Sequence, residues 1–178
     1  MEITPDAKRA TSPEFDSQTF RRTLGRFPTG VTIVTACLPD GQPLGMTVSS
    51  FNSVSLNPPL VLWSLGLKSG ARKIFEETGH YAIHVLASGQ AGLARQFAMP
   101  GRNNRFEGVA WRPNEHGVPI LTSGHAAWFE CFNRSRYYEG DHMILVGEVE
   151  RCGHTAALPL VFHAGGFQLT PGHDDNGT

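Results

Sequence analysis

The sequence predicts a mainly β protein, a closed or nearly closed antiparallel barrel with short peripheral helices. Three observations support this fold class. About six β-rich runs are separated by turn signals, the helical segments between them are short, and the chain has no GxGxxG turn typical of a parallel nucleotide-binding sheet. Since 40% of the 178 residues are hydrophobic and 17% are charged, we expect one domain with a substantial core.

The folded domain is predicted to begin near residue 15. Residues 1–14 mix Pro, Ser, Thr and charged side chains without periodicity, which is typical of a disordered tail. Asp16 is a favourable N-cap for an amphipathic helix, which we expect to cover the domain as a lid and to end at Pro28. The apolar face of this helix is formed by Phe20, Leu24 and Phe27.

A hairpin follows this helix. The β-branched run 30–36 indicates a strand, and the Pro-Asp-Gly sequence at 39–41 indicates a tight turn. Five hydroxyl side chains then crowd the strand-like segment 45–59, at Thr47, Ser49, Ser50, Ser53 and Ser55. Because strand interiors usually carry aliphatic and aromatic residues, this crowding predicts a polar surface that hydrogen-bonds a flat, oxygen-rich ligand.

The rest of the chain alternates strands with two short helices. Strands are predicted at 60–65 and 80–86, with a helix capped by Ser69 running to Thr78 and another starting at Ser88. Three further strands are predicted for the C-terminal part, at 126–138, 142–151 and 160–169. The folded unit therefore spans 15–170, and the Gly-, Asp- and Asn-rich segment 171–178 is expected to be a flexible tail.

Composition excludes several classes of function. A net charge of -1 with dispersed arginines argues against nucleic-acid binding, and the absence of a long apolar run or a secretion signal predicts a cytoplasmic protein without a membrane segment. Cys37, Cys131 and Cys152 are too far apart for a zinc cage, so we expect reduced, mostly buried thiols. No metal site is predicted, because His80 and His84 lie on a strand and lack a third ligand.

The sequence contains no recognisable motif for catalysis by side chains. The chain contains no HExxH, no GxSxG and no phosphate-binding glycine loop. If the protein is an enzyme, a cofactor therefore supplies the reactive atom, and the protein binds and orients it.

An ordered series of motifs identifies a family. The chain resembles the flavin reductases of two-component monooxygenases, which have the flavin-binding split barrel, an antiparallel barrel of the Greek-key type. The resemblance covers about 20–170, and its motifs lie at 27–35, 45–59, 79–86, 96–98, 105–109, 140–142, 147–149 and 159–163.

The resemblance implies an NAD(P)H:flavin oxidoreductase. Such an enzyme reduces FMN or FAD by hydride transfer from NADH or NADPH and supplies reduced flavin to a partner monooxygenase. A homodimer is also implied, because pairing covers open strand edges. The expected flavin contacts are Met46, Thr47, Val48, Ser49, Ser50, Ser64, Leu65, Gly66, Ser69, Gly70, Ala71, Gln96 and Phe97.

Charged and aromatic residues are assigned roles by the same resemblance. Lys68 and Arg72 would neutralise the flavin phosphate, or they simply form a solvated helix face. His142 would orient the nicotinamide, with a histidine bonded within its own turn as the alternative. Phe97 is either a pocket residue or core. The remaining nicotinamide contacts would be Phe162, His163, Ala164 and Gly165.

Some choices stay open from sequence. His84 replaces the asparagine common in the family, and Gly70 and Ala71 replace hydroxyl residues near the phosphate, so the preference for FMN or FAD is undecided. The choice of NADH or NADPH is also undecided. One alternative function is a flavin- or haem-binding module without turnover, and another is an oxidase with tightly bound flavin, like the pyridoxamine-phosphate oxidases. Consumption of reduced nicotinamide distinguishes the binding module from the reductase.

Overall fold

The fold is seen in a computed structural model, which describes residues 13–99, 101, 104–122 and 124–168. The predicted tails fall almost wholly outside this range, so those two predictions stay untested. The helices are α1 (Ser17–Leu24), α2 (Arg72–Glu77) and α3 (Ala91–Ala98), with a 3-10 turn at Ser88–Gln90. The strands are β1 (Thr29–Gly30), β2 (Thr32–Cys37), β3 (Pro43–Val48), β4 (Asn52–Leu56), β5 (Pro59–Gly66), β6 (His80–Leu86), β7 (Trp111–Pro113), β8 (Pro119–Leu121), β9 (His125–Glu139), β10 (His142–His154), β11 (Val161–His163) and β12 (Gly166–Gln168).

Seven antiparallel strands form the main sheet, in the order β3-β2-β6-β9-β10-β5-β4. β3 and β4 lie at opposite ends of this order, yet only residues 49–51 separate them in sequence. A link from Val48 to Asn52 spans at most about 14 Å, so the sheet must curl until its two ends meet. The predicted split antiparallel barrel is confirmed.

The hydroxyl-rich segment occupies this meeting point of the two sheet ends. The sequence predicts a single strand-like run over 45–59, but this segment forms the end of β3, a short link and β4. The division has a topological reason, because β3 pairs with β2 while β4 pairs with β5. We call residues 49–51 the barrel link.

Two apolar clusters stabilise the barrel from inside and outside. Inside, Trp63 packs edge-on against Phe75 and Tyr81, with ring centroids 4.9 and 5.8 Å away. Outside, Ile33 on β2 and Phe97 on α3 belong to a second buried cluster, in which α3 packs against the sheet. Full burial of each such side chain contributes about 1.5–3 kcal/mol, so both clusters are needed for a stable domain.

Several element boundaries differ from the predictions. Asp16 caps α1 as expected, accepting a hydrogen bond from the Thr19 N–H at 2.7 Å, but α1 ends at Leu24 and leaves Phe27 outside the helix. α2 begins at Arg72 because Ser69 instead accepts a hydrogen bond from the Ala71 N–H at 3.3 Å, forming a turn before the helix.

Two hairpins also depart from the predicted strands. The run predicted as one strand at 160–169 is divided, since a turn at Ala164 and Gly165 separates β11 from β12. The hairpin of β7 and β8 has no counterpart among the predicted elements.

All three cysteines are unpaired, as predicted. Only Cys131 is buried, while Cys37 is half-buried and Cys152 is exposed, so "mostly buried" was wrong. Burial raises the pKa of the Cys131 thiol, which therefore stays protonated and packs as an apolar side chain. Within the part of the chain that the structure describes, no helix is long and apolar enough to cross a membrane.

Candidate functional site

A cavity of about 640 Å³ lies beside β3, at one end of the main sheet. Its walls come from β3, the turn before α2 and the segment after α3. Four of the predicted flavin contacts meet here, Met46 from β3 and the consecutive residues Ser69, Gly70 and Ala71, which are distant from Met46 in sequence. The other lining residues are Leu38, Pro43, Leu44, Gly45, Ile74, Ala98, Gly101, Arg105 and Phe106. We call this the β3 cavity.

Gly45 allows β3 to lie directly against two aromatic rings. A β-carbon at Gly45 would stand 2.5 Å from Phe97 Cε1 and 3.2 Å from Phe106 Cε2, so no larger residue fits without displacement. Phe97 is fully buried and does not line the cavity. The alternative reading of Phe97 as core is therefore correct, and its side chain supports the wall from behind.

Among the described residues that line the β3 cavity, Arg105 is the charged one, and the sequence alone assigns it no role. Its Nη1 donates to the Gly45 carbonyl at 2.9 Å and its Nη2 to the Met99 carbonyl at 3.0 Å. These bonds hold the guanidinium beside β3, and a guanidinium carries five N–H groups, so binding two carbonyls is compatible with contact to an anionic ligand. The motif at 105–109 was the available signal, since it marked this arginine without explaining it.

Gln96 acts on the cavity indirectly. Its Nε2 donates to the carbonyls of Arg105 at 2.8 Å and Glu107 at 2.9 Å, so it fixes the backbone that carries the arginine. Lys68 and Arg72, the cations expected beside the flavin phosphate, lie outside the cavity wall. Arg72 pairs with Glu76 at 3.4 Å.

The hydroxyl groups in and beside the barrel link mostly bind the protein itself. Thr47 Oγ1 donates to the Ala94 carbonyl at 2.7 Å, which ties β3 to α3. Ser50 Oγ donates to the Ser64 carbonyl at 3.1 Å and accepts from the Ser64 N–H at 2.9 Å. Ser49 is exposed. The hydroxyl groups of Thr47 and Ser50 therefore already have hydrogen-bond partners within the protein.

Besides Thr47 and Ser64, three further predicted flavin contacts lie on strands but not in the cavity wall: Val48, Leu65 and Gly66. Val48 and Leu65 are buried among the apolar side chains of the barrel, where their side chains cannot reach a ligand in the cavity. Gly66 ends β5 and accepts a hydrogen bond from the Ser69 N–H at 2.9 Å, which connects it to the cavity turn.

His142 lies on the other side of that turn. A β-carbon on Gly66 would be 3.8 Å from His142 Nε2, so the ring lies over this glycine with 51% of its side chain exposed. Its Nδ1 is 2.6 Å from Asp141 Oδ1, and this hydrogen bond lowers the pKa of the Asp141 carboxyl. A histidine bonded within its own turn and one close to the cavity turn are therefore compatible descriptions.

The predicted nicotinamide contacts form a separate group. Ala164 and Gly165 adopt positive φ angles of 49° and 83° in the β11–β12 turn, and the Ala164 N–H donates to the Gly25 carbonyl at 2.9 Å. Ala164 and Gly165 line a second cavity of about 510 Å³, which shares no lining residue with the β3 cavity. Its other lining residues are Gln18, Arg21, Arg22, Gly25 and Arg26.

His84, the departure from the family pattern, is a structural residue. It is fully buried, its Nδ1 lies 3.3 Å from the Ile33 carbonyl, and its Nε2 accepts from the Leu121 N–H at 3.1 Å. Burial, with a smaller effect of His125, lowers the pKa of His84 to about 3. His84 is therefore neutral and joins β2, β6 and β8.

Comparison with known proteins decides the family. Residues 24–170 match the family described as "Flavin reductase like domain". The chain belongs to this family. The boundaries agree with the region of resemblance seen in the sequence.

Relatives of this flavin reductase-like chain are both sequences and solved structures. It is 48% identical to the NADH-dependent FMN reductase SmoA of Agrobacterium fabrum, over 85% of each chain. It is 34% identical to HsaB of Mycobacterium tuberculosis, the reductase subunit of a flavin-dependent monooxygenase, over 91% of this chain and 90% of the relative. Some other relatives are longer, and the chain spans about half of their length.

A solved structure of similar fold contains both kinds of cofactor. The NADH:FAD oxidoreductase SgcE6 of Streptomyces globisporus, in complex with NAD and FAD fragments, superposes with a TM-score of 0.84 at 36% identity. The similarity covers 94% of this chain and 100% of that structure.

The residues of the β3 cavity fit a flavin nucleotide. Its volume lies within the range of roughly 300–1,000 Å³ typical of small-molecule sites. Leu44, Ile74 and Phe106 are apolar lining residues that would suit a flat ring, and Arg105 is a cation that would suit a phosphate. A β-carbon at Gly70 would have no atom within 4 Å, so this part of the turn is open.

Proposed function

We propose that this chain is an NADH:flavin oxidoreductase that binds FMN or FAD in the β3 cavity and supplies reduced flavin to a partner monooxygenase. The observation that carries the proposal is the convergence of β3, the 69–71 turn and Arg105 on one cavity in a member of the flavin reductase family. The reductant follows from the NADH-dependent relatives.

The protein contributes binding and orientation. A flavin supplies the hydride-accepting ring and carries two electrons to the oxygenase. Met46 and the free edge of β3 would face the ring, while Ser69 and Gly70 would border the ribityl chain and Arg105 the phosphate. Each of these residues lines the cavity or, for β3, lies at the end of the sheet.

His142 is proposed to orient the nicotinamide. The carboxylate of Asp141 holds Nδ1, so Nε2 is the nitrogen left to face a ligand above Gly66. The β11–β12 turn would approach the dinucleotide with its glycine backbone, and Arg21, Arg22 and Arg26 beside this turn offer positive charge to a pyrophosphate.

A homodimer is proposed because apolar surface remains uncovered in a single chain. α1 has no buried residue, although Phe20 is 50% exposed and Leu24 is 57% exposed. On β4, the last strand of the main sheet, Leu56 is 96% exposed. Pairing of two chains would cover such surfaces and the open sheet edges. Location in the cytoplasm stays a prediction.

The partner of the proposed reductase is a flavin-dependent monooxygenase. HsaB is the reductase subunit of such an enzyme, which supports the same arrangement here. The β3 cavity lies at a sheet edge and not in the closed barrel core, so flavin can exchange with solvent. We therefore propose that flavin acts as a diffusing substrate.

The decisive experiment is a turnover assay on the purified chain. Loss of reduced nicotinamide is followed with NADH or NADPH, each with FMN, FAD, riboflavin or no flavin. Rapid oxidation that requires added flavin supports the proposal and determines both cofactor preferences. Flavin binding without nicotinamide consumption refutes it and favours the binding module, while turnover without added flavin, by chain purified with bound flavin, favours the tightly bound oxidase.

A further inference from the structure

Three side chains with metal-binding chemistry meet outside the β3 cavity. They are His80 at the start of β6, His116 in the turn between β7 and β8, and Glu150 on β10, and one ligand atom of each lies within 4.8 Å of the others. The rings of His80 and His116 stack with centroids 3.6 Å apart and planes inclined by only 6°. None of these residues lines the β3 cavity.

The distances suit an ion better than a direct hydrogen bond. His80 Nε2 is 3.6 Å from Glu150 Oε1, which is too long for a hydrogen bond. Two ligands bound about 2.05 Å from a tetrahedral zinc ion lie about 3.3 Å apart. To reach that separation the side chains must move inward and at least one of the stacked rings must rotate, because a metal ion lies in the plane of each imidazole that binds it.

The local fold aims Glu150 at the cluster. Val149 pairs with Cys131 and Arg151 pairs with Glu130, so Glu150 is the extra residue of a β-bulge. Bulges change the direction of a side chain relative to a regular strand. Glu150 is therefore presented beside His80.

The turn that carries His116 is held by Asn114. Its Oδ1 accepts from the N–H groups of His116 at 3.0 Å and Val118 at 2.9 Å. Its Nδ2 donates to Glu130 Oε2 at 2.6 Å, which fixes the turn to β9. The cluster therefore keeps His80 of the pair considered from sequence but not the buried His84, and its other two ligands come from segments distant in sequence.

We propose that His80, His116 and Glu150 bind one divalent transition-metal ion, with Zn²⁺ as the expected metal and water completing its coordination. Two imidazoles and one carboxylate form a common ligand set for zinc. The three ligands come from three separate segments, so the ion would connect the β7–β8 turn to β6 and β10. Its role would be to stabilise this side of the barrel.

The test is titration of the tag-free chain with Zn²⁺ after chelator treatment, in competition with a chromogenic chelator. One ion per chain is expected. His116→Ala should weaken binding at least about 100-fold, and Asn114→Ala about 10-fold because the turn is released. His154→Ala is the matched control, since it removes an exposed histidine of β10 and should leave binding unchanged.

A second measurement separates binding from folding. Zn²⁺ should raise the melting temperature of the unchanged chain and of His154→Ala but not of His116→Ala, while all three melt alike without metal. Substituting Co²⁺ should give the visible absorption of a low-coordinate site in the unchanged chain. The proposal is overturned if no ion binds at one per chain, or if His116→Ala binds zinc as tightly as His154→Ala.

Discussion

Arg105 is the residue on which flavin affinity should depend most. Its guanidinium lines the β3 cavity while two of its N–H groups bind the Gly45 and Met99 carbonyls. Because charged hydrogen bonds contribute roughly 1.5–3 kcal/mol, Arg105→Gln should raise the dissociation constant for FMN at least about tenfold. Fluorescence titration measures this change.

Arg112→Gln is the matched control, since Arg112 is exposed on β7. It should leave flavin binding unchanged. Equal affinity in the two variants would remove Arg105 from the proposed site, provided that both show the melting temperature of the unchanged chain.

His142 should influence the nicotinamide more than the flavin. With Nδ1 held by Asp141, loss of the ring in His142→Ala removes the group above Gly66. We expect kcat/KM for NADH to fall about tenfold, a change of about 1.4 kcal/mol, with flavin affinity altered less than twofold. Steady-state kinetics with each substrate varied separately measures both. A lower melting temperature with unchanged kinetics would contradict this role and show that His142 only stabilises its own turn.

His84 should make stability sensitive to acid. Its pKa is about 3 in the fold and near 6.5 in an unfolded chain, so between these values the unfolded state binds the extra proton. The free energy of unfolding therefore falls as pH decreases from about 6.5 toward 3, by up to about 1.4 kcal/mol per pH unit. Burial lowers the pKa of the neighbouring His125 too, which acts in the same direction.

Urea unfolding between pH 4.5 and 7 tests this. His84→Asn, which introduces the residue common in the family, should flatten the dependence, whereas the exposed His154→Asn should not. A slope as steep in His84→Asn as in the unchanged chain would show that other groups cause it.

At the scale of elements, the barrel link is closed by one side chain. Ser50 Oγ both donates to and accepts from the backbone of Ser64, and these two bonds extend the connection to β5 before β4 begins at Asn52. Ser50→Ala should lower the free energy of unfolding by about 1–2 kcal/mol, because two hydrogen bonds are lost. Ser53→Ala, on the exposed part of β4, is the control.

Flavin titration of Ser50→Ala distinguishes the two readings of this hydroxyl. Unchanged affinity with lower stability is expected for a structural serine. A loss of flavin affinity at unchanged stability would show that the Ser50 hydroxyl binds flavin.

The elements also explain where sequence reasoning succeeded. Strands β2, β5, β6, β9 and β10 carry strong apolar patterns, and all were predicted close to their observed positions. β7 and β8 have only three residues each, too few for a pattern to be recognised. Likewise, the role of Arg105 depends on a backbone carbonyl sixty positions away in sequence, a contact that no local pattern encodes.

Hydroxyl content was a mixed guide to the site. It directed attention to β3, whose residue Met46 does line the cavity, but Thr47 and Ser50 use their hydroxyls for the fold. A sequence shows that a polar group needs a partner, and only the tertiary structure shows whether that partner is a ligand or the chain itself.

At the scale of the whole molecule, exposed apolar surface on α1 predicts self-association. Leu24→Glu places a charge on the exposed apolar face and should convert a dimer to a monomer, because burying an unpaired carboxylate is costly. Light scattering measures the mass. Thr23→Glu adds the same charge to the neighbouring position and should leave the dimer intact. A monomeric unchanged chain would contradict the proposed dimer.

The three-residue barrel link has a consequence for motion. β3 and β4 are joined covalently but do not pair, so the barrel has a longitudinal slit between them. The three-residue barrel link limits the width of this slit. The backbone amides along the slit should exchange with deuterium earlier than those of the paired strands β9 and β10. We therefore expect the wall beside the β3 cavity to open before the wall formed by β9 and β10, which would give a flat ring a route in and out while the opposite wall stays closed.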